Sequence, residues 1–421
     1  MADPLNLMLE GYATHGPVFT WRIGPTRFVM ALGPEANHEI LVSKADRFRY
    51  RDSGMSILIP LLGDGLLTTD GEFHRRSRRI MLPAFHRERL ASAHETMRRE
   101  SERAVAGWHE GTQVEVYGWA HDLALRIAMR GLLGFDPDSR ATGIDPRAEF
   151  ARAFGFFSRN HLAMLLRGPG TPFARMMAAR RRLDTLIFKE IARRRQTKES
   201  GDDVLSLLVD ARDEHGAPLS DQNVRDEAMT VLTAGHATTT STIALVLYQL
   251  ARHPKWSSRV VDEVSRLGHD PTAAELIGGA LPALDLVLKE TLRMYPAAWI
   301  GARRCAKTCT LAGVTVPAGA LVHYSPWASH MLPDVWERPE TFRPERFVPE
   351  RAAELARGTY VPFGAGSRTC IGMRFGELTI RTVVARVARG FGLEPMAGSQ
   401  LDVRPRFALA PTGGLPMRVT C

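Results

Sequence analysis

The chain has 421 residues, 44% of them hydrophobic and 24% charged, a composition that can bury a large core and is ordinary for a soluble globular protein. Its formal net charge of +9 is compatible with nucleic acid, an acidic membrane surface or an acidic protein as partner. The arginines are spread over many segments and no nucleic-acid motif is present, which favours the acidic protein. Four cysteines (Cys305, Cys309, Cys370, Cys421) form no CxxC pair, so neither a disulfide scaffold nor a metal finger is expected, and a reducing cytoplasm fits. No Pro/Ser-rich linker, charge block or internal repeat divides the chain, so a single domain over 1–421 is expected. The N-terminus lacks a basic start and an apolar run, so no signal peptide or anchor is expected.

In chain order, residues 4–14 read as a short helix. Residues 17–23 and 27–31 alternate as a β-hairpin around Gly24-Pro25, and Pro34 opens the next helix. Residues 48–69 are irregular and apolar, either covering the core or lining a substrate. Residues 71–81 form a helix ended by Pro83, with His74 and Arg78 on one face. Arg75 and Arg79 lie about 100° round that helix, with Arg76 beyond them, leaving an outward basic patch. Residues 90–135 and 173–196 carry long amphipathic patterns. Between them Phe154, Phe156, Phe157, Met164, Leu165 and Leu166 crowd a stretch that stops at Gly168-Pro169-Gly170 and reads either as core or as a lid.

Ser220 caps a long helix that runs to about Arg252, before His253-Pro254. Its 231–251 portion is long and weakly charged, yet it holds His236 and a Thr-Thr-Thr-Ser-Thr run, so a buried central helix explains it better than a membrane span. Helices over 255–267 and 282–294 follow, then short strands near Val314 and Leu321. The fold class is mainly α with small β-sheets.

The stretch Phe363-Gly-Ala-Gly-Ser-Arg-Thr-Cys370-Ile-Gly372 asks for a chemical explanation. Gly364, Gly366 and Gly372 leave little side chain near the sulfur. A helix expected over 371–389 would place its positive end and free N–H groups at Cys370, and Arg368 adds a cation; both favour a thiolate, the form that binds a metal. The alternative is a buried cysteine in a glycine-rich turn. The pattern Phe363, Gly366, Arg368, Cys370, Gly372 resembles the haem-binding loop of the cytochrome P-450 family, here its bacterial, soluble haem-thiolate monooxygenases. Further matches run in the family's order from about His74 to Gly376.

The resemblance implies a long central helix over haem b, with Cys370 as axial thiolate ligand to the iron; sulfur donation favours O–O cleavage of O2. It implies that His74, Arg78, Arg368 and Arg304 (in Arg304-Cys305-Ala306, with Arg303 adjacent) neutralise the propionates. Glu290 and Arg293, with Arg346 from a later segment, form a structural triad. Ala234, Gly235 and Thr238 belong to the oxygen-activation stretch, where Gly235 lets the helix open and the Thr238 hydroxyl delivers protons. Ala237 stands where the family usually has Asp or Glu. Proton delivery then runs through Thr238 and water, a substrate hydroxyl or another polar residue, His236 being one candidate.

In the family the 48–69 loop lies over the haem and the Phe-rich stretch is a mobile lid. With no flavin or nicotinamide domain, electrons come from NAD(P)H through a ferredoxin or flavodoxin and its reductase. This partner would dock on the cysteine side, where Arg75, Arg76 and Arg79 could meet it. A monomer without stable membrane insertion is expected, acting on an apolar small molecule: a terpenoid, fatty acid or macrocyclic natural product. The segments Gly63-Asp-Gly-Leu-Leu and Arg78–Phe85 resemble relatives acting on such substrates. A peroxygenase, or an isomerase or dehydratase of an oxygenated substrate, is the alternative that Ala237 raises. A non-catalytic haem sensor is the other, and the apolar lid argues against it. Cys305 and Cys309 read as core or strand residues, Cys421 as a terminal thiol.

Overall fold

The computed structural model describes residues 3–24, 26–139, 143–159, 161–198, 201–212 and 216–420. Pro25 of the expected hairpin turn and Cys421 lie outside the described residues. The chain is 58% helical with small sheets, as the hydrophobic periodicity requires.

Local chemistry sets the helix ends. Asp3 accepts from Leu5 N at 3.0 Å to start Pro4–His15, and Thr171 accepts from Ala174 N at 3.2 Å to start Pro172–Thr197. Ser220 Oγ accepts from Asn223 N at 3.1 Å ahead of Asp221–Arg252, a helix of 32 residues that stops before His253-Pro254. The helices Gly71–Met81 and Pro282–Met294 match the expected spans. The 90–135 pattern resolves into two helices, Arg87–Val105 and Val116–Leu133, separated by a three-residue strand.

Contacts group the chain into two compact units. One comprises Met1–Ser56, Gly107–Ala120 and Thr238–Cys421 and holds the sheets. Its five-stranded sheet has the order β1 (Val18–Ile23), β2 (Thr26–Ala31), β8 (Leu321–Tyr324), β5 (Gly301–Cys305), β3 (Phe48–Arg49); β2 and β8 are parallel and the other pairs antiparallel. The hairpin β6–β7 (Cys309–Leu311, Val314–Val316) follows β5, and Cys305 and Cys309 sit in these strands as expected. A three-stranded sheet joins β4 (Gln113–Glu115), β12 (Pro416–Thr420) and β9 (Gly392–Pro395), and β10 (Val403–Pro405) pairs with β11 (Leu409–Pro411). Apolar side chains of β5, β8 and residues 36–41 pack into one cluster with Val361, just ahead of the cysteine loop.

The other unit comprises Ile57–Ala106 and His121–Ala237. Its core includes Leu61, Leu62, Phe150, Leu183, Ile187 and Leu205. Arg225, fully buried, donates to the carbonyls of Leu61 (3.0 Å) and Leu62 (3.1 Å) and pairs with Asp184 and Asp226, so the 57–69 segment is tied to two helices by one side chain. Phe154, Phe156 and Phe157 are buried, whereas Leu165 and Leu166 are exposed, so the apolar stretch is core at its start and surface at its end.

Candidate active site

Cys370 lies on the loop between the turn Gly366–Arg368 and the helix Met373–Gly390. The helix begins two residues later than the sequence pattern indicated, because Gly372 takes the N-cap position. Cys370 N donates to Phe363 O at 2.9 Å and Thr369 N to Gly366 O at 3.1 Å, closing the loop on itself and leaving the cysteine exposed. Gly366 has φ +65°, and a Cβ there would lie 2.2 Å from Leu41 O, so only glycine lets the loop seat against the Glu39–Ser43 turn.

Strand alternation separates the two adjacent arginines of β5. Arg304 donates to Asp52 O at 2.7 Å and Gly319 O at 2.8 Å on the solvent side. Arg303 is buried, donates to the Tyr50 hydroxyl and to Tyr324 Oη (3.1 Å), and lies 3.6 Å above the Tyr50 ring. The Arg368 guanidinium lies 4.2 Å from the same ring. The arginine that shares the Tyr50 ring with Arg368 is therefore Arg303, while its neighbour Arg304 lies on the other face of the strand.

The expected triad is assembled. Arg293 donates twice to Glu290 (2.8 and 2.9 Å), and Arg346 Nε donates to Glu290 Oε1 at 3.3 Å; all three are buried. Arg293 also donates to His330 O and Pro339 O, and Arg343 N donates to Glu290 Oε1 at 2.8 Å. Sequence reasoning missed His330, which no motif marks. Its Nε2 accepts from Val361 N at 3.0 Å, so Nδ1 carries the proton and donates to Arg293 O at 3.1 Å. The ring thus links the triad to the strand of chain entering the cysteine loop. Complete burial and the Arg293 charge hold its pKa down at about 3.

On Gly71–Met81, His74 is buried and Arg78 half-buried on the face their spacing predicts. Arg75 and Arg79 are exposed and share Glu72, at 3.0 and 3.8 Å, while Arg76 is half-buried. The expected basic patch is thus partly neutralised by its own helix.

Ala234, Gly235 and Thr238 lie in an unbroken stretch of the long helix. A Cβ at Gly235 would lie 3.2 Å from Leu132 Cδ1, so the glycine permits close helix packing there. Thr242 Oγ1 donates to Thr238 O at 2.9 Å. His236 faces an aromatic nest of His121 (ring centroids 4.3 Å apart), Phe150 and Phe154. Burial there lowers its pKa to about 3, so at neutral pH the ring is uncharged and its remaining N–H is a weak acid, which counts against it as the proton donor.

An exposed thiol on a glycine-rich loop, preceded by Arg368 and with Arg303 on the far face of Tyr50, suits an iron-bearing macrocycle with anionic side groups. The residues present therefore fit a haem.

The family model described as Cytochrome P-450 matches residues 3–415. The cyclooctat-9-en-7-ol 5-monooxygenase of Streptomyces melanosporofaciens is 34% identical over 93% of this chain and 86% of its own. The pentalenene oxygenase of Streptomyces avermitilis is 31% identical over 96% of this chain and 90% of its own. Among solved structures, a retinoic acid-bound cyanobacterial cytochrome P-450 superposes with a TM-score of 0.89 at 28% identity, covering 98% of this chain and 93% of that one. The chain belongs to the cytochrome P-450 family and is an oxidoreductase of the monooxygenase type. Haem with thiolate ligation and the use of O2 come with that membership.

Proposed function

We propose that this protein inserts one oxygen atom from O2 into an apolar terpenoid alkene or alkenol, with Cys370 as the iron ligand. The observation that carries the reading is the Cys370 loop, filled at every motif position and seated by Gly366 against Leu41. The substrate class rests on two relatives named for an alkene and an unsaturated alcohol. Fatty acids and macrocyclic products are the other classes that a substrate panel would report.

When bound, thiolate-ligated haem supplies a redox-active iron at which the O–O bond is cleaved, a step favoured by electron density from sulfur. The protein's own residues do the rest. Arg303 and Arg368 hold propionates, with Tyr50 fixing the spacing of the two cations. His74 and Arg78 are assigned the same role from the Gly71–Met81 helix, whose one face they share. Glu290, Arg293 and Arg346 position the cysteine loop through His330 and Val361. Thr238 orients a proton donor, Gly235 beside Ala234 gives the helix its local freedom, and Phe363, Gly366 and Gly372 shape the loop around the sulfur.

Electrons come from NAD(P)H through a reductase and an acidic ferredoxin or flavodoxin. Arg75, Arg76 and Arg79 are proposed as docking cations, weakened at Arg75 and Arg79 by Glu72. Among the described residues no helix is long and apolar enough to cross a membrane. Work as a monomeric single-domain enzyme in the cytoplasm completes the proposal.

Reduced protein with carbon monoxide should give the absorption signature of sulfur-ligated haem; its absence overturns the assignment of Cys370. A panel starting with pentalenene and related alkenols should then shift the haem spectrum on binding. Ala237 favours a second reading, a peroxygenase. Product formed from peroxide alone, with none from the reduced partner, would decide for it.

A further inference from the structure

Three polar side chains of the long helix have no part in holding haem or in the triad. Glu227, Thr230 and Thr233 are spaced i, i+3, i+6, and all three are buried. Among the described residues, Glu227 Oε1, Thr230 Oγ1 and Thr233 Oγ1 find no hydrogen-bond partner. Residues three apart on a helix are neighbours, so each of the three side chains adjoins the next along a row that winds round the axis by about 60° per step. The next position in that row, four residues beyond Thr233, is Ala237.

Two observations show the first two members of the row to be held in place. A Cβ at Gly65 would lie 2.0 Å from Thr230 Oγ1, so the glycine brings the loop directly onto that hydroxyl. Glu227 Oε2 accepts from Leu66 N at 2.9 Å, and the same carboxyl is hydrogen-bonded by Ser77. Buried hydroxyls without partners destabilise a fold and are normally satisfied by ordered water. Valine would fill the same space at 230 and 233 without that cost, yet the helix carries threonine at both.

We propose that Glu227, Thr230 and Thr233, with interleaved water, form a proton-feeding row that ends at Ala237, the position where this chain lacks a carboxyl group. The proposal rests on the monooxygenase reading. Inserting one atom of O2 takes two electrons from the redox partner and two protons; one oxygen enters the product and the other leaves as water. In the row, Glu227 releases a proton towards Thr230 and Thr233 and regains one from the Ser77 side, on the half-buried face of Gly71–Met81. The row spans about 15 Å along the helix axis, ten residues at ~1.5 Å each.

Burial, and secondarily the Asp226 charge, raise the Glu227 pKa to about 7, against the hydrogen bonds from Leu66 and Ser77. The charged or titratable groups around it are Asp226, itself bonded to Arg225 and to Asp64 N, then Asp64 on the loop, and His74 and Arg78 flanking Ser77 on its helix. Glu227 and the two threonines are thus positioning residues for proton supply.

The test uses haem-loaded protein with a ferredoxin, its reductase and NADH, without added substrate. Parent protein must first show the sulfur-ligated carbon monoxide signature; failure there overturns the monooxygenase reading itself, whereas intact spectra in every variant confine the result to the row. Thr230→Val and Thr233→Val are expected to raise the thermal midpoint while slowing oxygen consumption severalfold with a larger solvent deuterium effect, and Thr230→Ser to keep the parental rate. Glu227→Gln is expected to slow it by about 100-fold, the lower range for general acid–base assistance. Independently of turnover, infrared spectroscopy of the resting protein should show a protonated-carboxyl band titrating near pH 7 that Glu227→Gln removes. Valine variants that consume oxygen at the parental rate, or a titrating band that survives in Glu227→Gln, overturn the proposal.

Discussion

The Tyr50 ring, flanked by guanidiniums at 3.6 and 4.2 Å, keeps two cations apart that would otherwise repel. Each stacked contact contributes about 0.5–2 kcal/mol, and the pair is fixed before any anion arrives. Arg303→Ala should therefore lower the haem-to-protein ratio on purification, while Arg304→Ala, which removes only two solvent-side carbonyl contacts, should leave it near the parental value. Equal loss in both would refute the assignment. Cys370→Ala should give protein without the sulfur-ligated signature. At Glu290 the expectation is thermodynamic: Glu290→Ala strands two buried arginines and should cost about 3–5 kcal/mol, read as a lower urea midpoint before any effect on turnover.

At the scale of elements, the cysteine loop depends on its fit to the Glu39–Ser43 turn. Gly366→Ala meets both a positive φ and the Leu41 carbonyl, whereas a Cβ added at Gly364 (φ +67°) would lie 3.8 Å from its nearest neighbour, Arg368 O. Gly366→Ala should accordingly reduce haem incorporation more than Gly364→Ala, measured by absorbance per protein. Much of this was legible in the residues. The Glu290–Arg293 spacing and the Pro and Ser caps specify their geometry locally and fall where they were read, whereas the helix after the cysteine loop starts two residues later than read. The contact of Arg303 with Tyr50 was not legible, because telling adjacent residues apart needs the strand's facing, which the pattern Gly-Ala-Arg-Arg-Cys does not reveal. Nor was His330, whose role comes from partners 31 and 37 residues away. The C-terminal strands β9–β12 span only three to five residues each, too short for alternation to stand out.

Across the whole molecule, buried titratable groups set the response to acid. His236 and His330 fall to about 3 and His323 to about 4, all through burial, so below pH 6.5 the unfolded chain binds protons that the folded chain refuses. Each such group removes ~1.4 kcal/mol of stability per unit of acidification within its window. Glu227 acts oppositely: its folded value of about 7 lies above the ordinary carboxyl value of 4.5, so between these the folded chain binds the extra proton and gains stability as pH falls. His121, lowered by burial, adds to the loss and Glu263, raised by burial, opposes it; four imidazoles against two carboxyls leave a net loss, and the urea midpoint should fall steadily from pH 6.5 to 5. A flat profile would contradict the burial of the imidazoles. The His330 ring offers a sharper readout. Locked as a single tautomer between Arg293 and Val361, it makes nitrogen-15 labelling a built-in gauge of assembly: one bare and one protonated ring nitrogen while triad and loop are joined, and a fast-averaged pair once they part.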